Sequence, residues 1–282
     1  MAGAKYVTMT PDDAAAMLAT NFERNRNIVS AYVEQLAMIM GEGRFDSMNG
    51  QTIVVGTDGV LYDGQHRLSA QVMSGKTLTW LVATVEDGDE KYRTMDRGRS
   101  RRTADFIYDP NAKDVAALAK IMVCIEWGST PLLSALQGKM ARNAAADNGI
   151  ILDYYEANVD AVQNAVRLAK RMRKEAGMGA TSAYGTFIMC VERFLDPSML
   201  DAFIDDFCRT PTQSATVASA RQNIALNRQR RGNGGIKWTL GILLDAYKHY
   251  LAGDGSKMLN KGGVELGRLD AAISARKAGD AA

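Results

Sequence analysis

Apolar positions in the first hundred residues change period three times. Thr10-Pro11-Asp12-Asp13 sets a capping hydroxyl, a proline at the first helical position and two carboxylates in the first turn. That run predicts a helix to about Thr20. Asn25-Arg26-Asn27 breaks it. Val33, Leu36, Ala37 and Met40 then recur at one-face helical spacing, with Gly41 as the stop. At Gln51 the period falls. Thr52-Ile53-Val54-Val55 is a β-branched run, Asp58-Gly59 a turn signal and Val60-Leu61-Tyr62 a second run. Leu68, Ala70, Val72 and Met73 read as a short helix closed by Gly75. Leu78–Val85 is the strongest strand signal in the chain.

From about Ala112 strand signals fade. Segments 112–127, 154–175, 182–194, 198–208, 217–228, 239–251 and 264–277 all read as helices. The expected fold class is therefore an α+β N-terminal domain, 1–109, followed by an all-α domain, 110–282. The turn at Asp109-Pro110-Asn111 is the expected boundary. No fixed-period repeat and no low-complexity linker is visible, and the tail after Ala278 is expected to fray.

Composition narrows the class. The chain has 282 residues, 46% hydrophobic and 23% charged, with a formal charge of +2. These values exclude collagenous, mucin-like and wholly disordered chains, and they require any nucleic-acid surface to come from local clustering. Cys124, Cys190 and Cys208 sit in apolar runs without zinc or disulfide-framework spacing, which reads as buried thiols in a reducing compartment. No run reaches membrane-spanning length, and the first residues lack a signal-peptide pattern. A cytoplasmic protein with no membrane partner is expected. P-loop, dinucleotide and nucleophile-elbow patterns are missing from the sequence.

The densest polar constellation is Asp63-Gly64-Gln65-His66-Arg67, between a strand and a helix. Amides at a helix start point outward with partial positive charge and favour an anion. Gly64 allows close backbone approach, and Arg67 offers a planar fork for phosphate. His66, one of two histidines in the chain, can donate to a phosphoryl oxygen or move a proton. Asp63 can hold a metal, orient a histidine or cap the helix. The competing reading is an ordinary turn with a surface arginine.

LYDGQHRLSA resembles the signature of the ParB/sulfiredoxin superfamily, in which a strand, a run of this kind and a helix cradle nucleotide phosphates. Asn25-Arg26 resembles that group's second polar motif. The order of these motifs, continuing into Asp96-Arg97-Gly98-Arg99, is similar to ParB-like proteins of phages and mobile elements over residues 8–107. The resemblance implies a ParB/sulfiredoxin-like first domain that binds a nucleoside triphosphate (ATP or CTP) with Mg2+. Asn25, Arg26, Gly64, Gln65, His66 and Arg67 would be the phosphate-binding set, and His66 and Asp63 the catalytic candidates. No residue is assigned as a protein metal ligand. Gln65 stands where sulfiredoxins carry cysteine, so sulfinic acid reduction is not expected. His66 replaces an arginine of the partition proteins and no helix-turn-helix follows, so chromosome partitioning is not expected either.

Two basic segments add a second expectation. Lys91, Arg93, Arg97, Arg99, Arg101 and Arg102 against Asp96 give +5 within twelve residues. Arg230 and Arg231, with Arg221, Arg228, Lys237 and the neighbouring Trp238, form a basic-aromatic run suited to phosphate and a stacked base. The leading expectation is an NTP-binding, and in that case potentially hydrolysing, protein that works with DNA. Its partners are a nucleotide and DNA, with homo-oligomerisation left open. One alternative is a phosphotransferase acting on a small molecule or a modified DNA base, with Glu23, Glu34 and Glu42 as available carboxylates. The other is a non-catalytic adaptor. A nuclease ranks below NTP binding because no paired-carboxylate metal site stands out.

Overall fold

The computed structural model describes residues 3–25, 27–86, 88–92, 102–140, 146–177, 179–226, 233–253, 255 and 263–280. Contacts divide the chain into two compact units, Met1–Ser100 and Arg101–Ala282. The division falls ahead of the Asp109-Pro110-Asn111 turn.

The first unit is a small mixed sheet with helices. Its elements are β1 (Gly3–Met9), α1 (Pro11–Leu18), α2 (Ser30–Gly41), β2 (Thr52–Gly56), β3 (Leu61–Asp63), α3 (Gln65–Ser74), β4 (Leu78–Val85) and α4 (Gly88–Tyr92). The sheet order is β1-β4-β2-β3. β4 pairs antiparallel with β1 and parallel with β2, and β2 pairs antiparallel with β3. The parallel β2–β4 pair requires a crossover, which β3 and α3 supply. β1 was not expected: its residues are mostly exposed, so no buried face marks it in the sequence, and pairing with β4 defines it.

Capping follows the sequence. Thr10 Oγ1 accepts the Asp13 amide at 3.2 Å, and Asp13 Oδ2 accepts the Thr10 amide at 2.8 Å. The Thr10 amide and the Thr10 hydroxyl, both donating to Oδ2, hold the Asp13 carboxyl below its ordinary range. The core gathers Met9, Val33, Leu36, Met40, Ile53, Leu61, Leu68, Trp80 and Val82. Gln71 of α3 is wholly buried among them. Its Oε1 accepts the Trp80 indole N–H and its Nε2 donates to Met9 O, each at 2.7 Å. One amide side chain thereby pins α3 to both β1 and β4.

The second unit is helical among its described residues. A 3-10 turn at Thr103–Phe106 precedes α5 (Ala112–Glu126), α6 (Leu132–Ala135), α7 (Asn148–Ala157), α8 (Val159–Ala176), α9 (Thr181–Phe194), α10 (Leu200–Phe207), α11 (Ala215–Leu226), α12 (Asn233–Ala252) and α13 (Gly263–Asp280). α9 is central: Thr181 to Val191 are all buried, and α5, α8 and α12 pack around it. Gly185 permits that approach, since a Cβ there would lie 2.7 Å from Leu118 Cδ2. The single helix expected at 154–175 is two helices, broken at Asn158, whose side chain donates to Tyr154 O at 2.8 Å. α12 starts at Asn233, earlier than expected, so Gly234 and Gly235 are helical. No helix among the described residues is long and apolar enough to cross a membrane.

Candidate functional site at the β3–α3 corner

The Asp63–Arg67 run forms the predicted strand-to-helix corner. β3 ends at Asp63, Gly64 turns the chain with φ 111°, and α3 begins at Gln65. A residue with a side chain is strained at that φ. A Cβ would also meet Ile53 Cδ1 at 2.4 Å. Backbone conformation and packing against β2 therefore each require the glycine.

The side chains around the corner turn inward to the protein. Gln65 and His66 are 3% and 6% exposed. Gln65 Oε1 accepts from Asn21 Nδ2 at 2.9 Å, and His66 Nε2 accepts the Val29 amide at 3.1 Å. The second bond places the imidazole proton on Nδ1. Arg67 pairs with Asp63 at 2.9 Å, one helical turn apart, and Asp63 Oδ1 accepts the Gly64 amide at 2.7 Å. Asp63 thus orients Arg67 and closes the turn.

The two polar motifs of the sequence meet here. Residues 20–22 run beside β3, bonded from Phe22 N to Leu61 O and from Leu61 N to Thr20 O, each at 2.9 Å. That pairing brings Asn25 over the corner, where its Nδ2 donates to Asn21 Oδ1 at 3.0 Å and to Tyr62 O at 3.3 Å. Asn21 and Tyr62 were not singled out in the sequence. The only signal for Asn21 is that it is one of three asparagines, with Asn25 and Asn27, in the break between α1 and α2. Arg26 lies outside the described residues.

Beside the corner opens a cleft of about 780 Å³, whose lining includes Asn21, Phe22, Glu23, Asp58 and Tyr62. Two of its lining residues are aromatic, with the Phe22 ring 5.0 Å from that of Tyr62; Phe22 also lies 5.0 Å from the Tyr92 ring. Tyr62 OH donates to Asp58 Oδ2 at 3.2 Å. Glu23 and Asp58 are the charged side chains of the lining, so the cleft itself disfavours phosphate. The first amides of α3 have no intrahelical acceptor. Among the described residues no group of three or more His, Cys, Asp or Glu side chains is placed to hold a metal ion.

The other expected site residues are dispersed or uncharted. Arg97, Arg99, Arg101, Arg230 and Arg231 lie outside the described residues. Arg102 is exposed, and its backbone amide donates to Asp105 Oδ2 at 2.7 Å. Arg221 donates to Arg209 O at 2.8 Å and pairs with Glu175 at 3.6 Å. Trp238, expected as a stacking platform, is 9% exposed and packs in the helical core. Cys124 and Cys190 are buried; burial pushes the Cys124 thiol up to about 11 and that of Cys190 up as well, so neither is a ready nucleophile. No known family, curated protein or solved structure matches this chain.

Proposed function

We propose that the first unit is a ParB/sulfiredoxin-like nucleotide-binding domain that takes a nucleoside triphosphate at the amino end of α3 and works with DNA. One observation carries this reading: Asn21, Asn25 and Gln65 form a single hydrogen-bonded chain. It ties two motifs forty residues apart in sequence into one corner, beside an open cleft. Phosphates would meet the α3 amides and the Arg67 guanidinium, whose side chain is 13% exposed in its pair with Asp63. Gln65 and His66 act as positioning residues, because their side chains hold the 21–29 segment rather than face solvent. Mg2+ would come with the nucleotide and offset its phosphate charge, since among the described residues no group of three or more His, Cys, Asp or Glu side chains is placed to hold the ion. The basic segments at 97–102 and 230–231 are the proposed DNA contacts.

Calorimetric titration with ATP, CTP and GTP, each with Mg2+, tests the site. Arg67→Ala should abolish binding while the helical circular dichroism of the protein is kept. Wild-type affinity in that variant would refute the assignment.

A second reading, a phosphotransferase, is favoured by Glu23 and Asp58 lining the neighbouring cleft. An acceptor hydroxyl seated there would lie near a carboxylate able to take its proton. Transfer of labelled γ-phosphate to an acceptor, as against release of free phosphate, separates the two readings.

A further inference from the structure

The helical unit holds a cavity of about 270 Å³ that the reading above does not use. It lies where two helices end: Glu126 and Trp127 come from the end of α5, Arg193 and Phe194 from the end of α9, and Arg276 and Lys277 from α13. The Glu126 carboxylate is matched within the protein. Arg193 pairs with it, Tyr154 OH donates to it at 2.7 Å, and Arg193 Nη2 donates to Asn158 Oδ1 at 2.9 Å. With that pair closed, the lining carries an excess of positive charge from α13.

Lys277 is the informative member. Its ammonium donates to Gly128 O and is partly buried. Burial lowers its pKa below the ordinary lysine value, although Asp270 and Glu126 pull the other way. A cation short of water gains more from an arriving anion than a fully solvated one does. On its other side Lys277 lines a neighbouring cavity that includes Asp270, so a carboxylate already faces it there. On the Trp127 side the carboxylate is Glu126, which Arg193 already pairs.

Trp127 supplies the second half of the chemistry. It is 50% exposed, and its ring is held at 72° against Tyr154 with centroids 5.2 Å apart. Arg276 sits 5.8 Å from the Phe194 ring centre. A braced, half-open indole beside two cations suits a flat ring that carries a negative group.

We propose that this cavity binds one nucleotide unit, with the base against Trp127 and the phosphate on Lys277 and Arg276. The unit is either a free mononucleotide or one residue of a single strand.

Tryptophan emission reads this site directly, because Trp80 and Trp238 are 0% and 9% exposed. Thymidine monophosphate should quench wild-type emission saturably, and Trp127→Phe should remove that quenching. Thymidine alone and inorganic phosphate alone should each bind about tenfold more weakly or worse. Lys277→Met should weaken the monophosphate by about tenfold, and Lys277→Arg should restore most of it. Arg67→Ala should leave the titration unchanged, which keeps this site separate from the one in the first unit. A short thymidine oligonucleotide that binds more tightly than the monomer supports a single strand as the source; equal affinity supports a free nucleotide. The proposal is overturned by wild-type affinity in Lys277→Met, by thymidine binding as well as its monophosphate, or by loss of the signal in Arg67→Ala.

Discussion

The corner at Gly64 in the first unit and the Glu126–Arg193 knot in the second are both polar and hydrogen-bonded, yet they are made of different parts. The corner uses neutral groups: Asn21, Asn25, Gln65 and the imidazole of His66, with one ion pair between residues a helical turn apart. The knot joins α5 to α9 through opposite charges and adds the phenol of Tyr154. Neutral amides are satisfied by a few well-aimed hydrogen bonds and cost less to bury than ions. Removing one member of a partly buried ion pair leaves an uncompensated charge. The corner can therefore hold a loop in place beside an open cleft, whereas the knot fixes the ends of two helices. Among the described residues, the groups whose pKa burial raises furthest lie in the second unit, at Cys124, Cys190, Tyr154 and Tyr184.

The largest expected effect exploits that contrast. Each of those four groups keeps its proton in the fold over a range in which the unfolded chain has lost it. Their contribution to stability is thus full below the ordinary thiol and phenol values. It is lost as pH rises, for Cys124 from 9.0 through about 11. The urea midpoint should fall steeply between about pH 8 and about pH 10.5, with amide exchange rising first in helical-unit peptides. Exchange that rises first in first-unit peptides would invert the comparison.

Phe203→Ala comes next. Its ring lies between 5.3 and 6.1 Å from those of Phe187, Phe207, Tyr247 and Tyr250. Removing it should cost about 3–5 kcal/mol in urea unfolding. Gly64→Ala should cost the first unit about 1–3 kcal/mol, through the left-handed φ and the Ile53 clash. An unchanged urea midpoint, followed by Trp80 emission, would show that the corner relaxes freely. Thr10→Ala removes a cap from an exposed helix end and should cost about 1 kcal/mol. Thermal melting resolves a change of that size.

The elements that were legible in advance are those whose signal is local. The Thr10 cap, the α3 run after Gly64 and the β4 strand follow from neighbours a few residues apart. β1 was not legible, because its mostly exposed residues leave no alternating buried face, and it exists as a strand through β4. Asn158 breaks a pattern that periodicity reads as continuous, since apolar spacing barely changes across it. Within the site, the 63–67 run stood out by composition. Its side-chain directions did not: Gln65 and His66 turn inward and are buried.

The sequence alone determined where a strand had to become a helix, because Gly64 and its flanking polar run act over one turn of chain. It also determined that helices take over after the sheet, from the 3.6-residue recurrence of apolar positions. Tertiary structure alone decided that Asn21 meets Gln65, that His66 faces Val29, that Trp238 is core and that Trp127 is open. Those outcomes depend on which distant backbone arrives beside each side chain, and no local pattern of residues encodes that arrival.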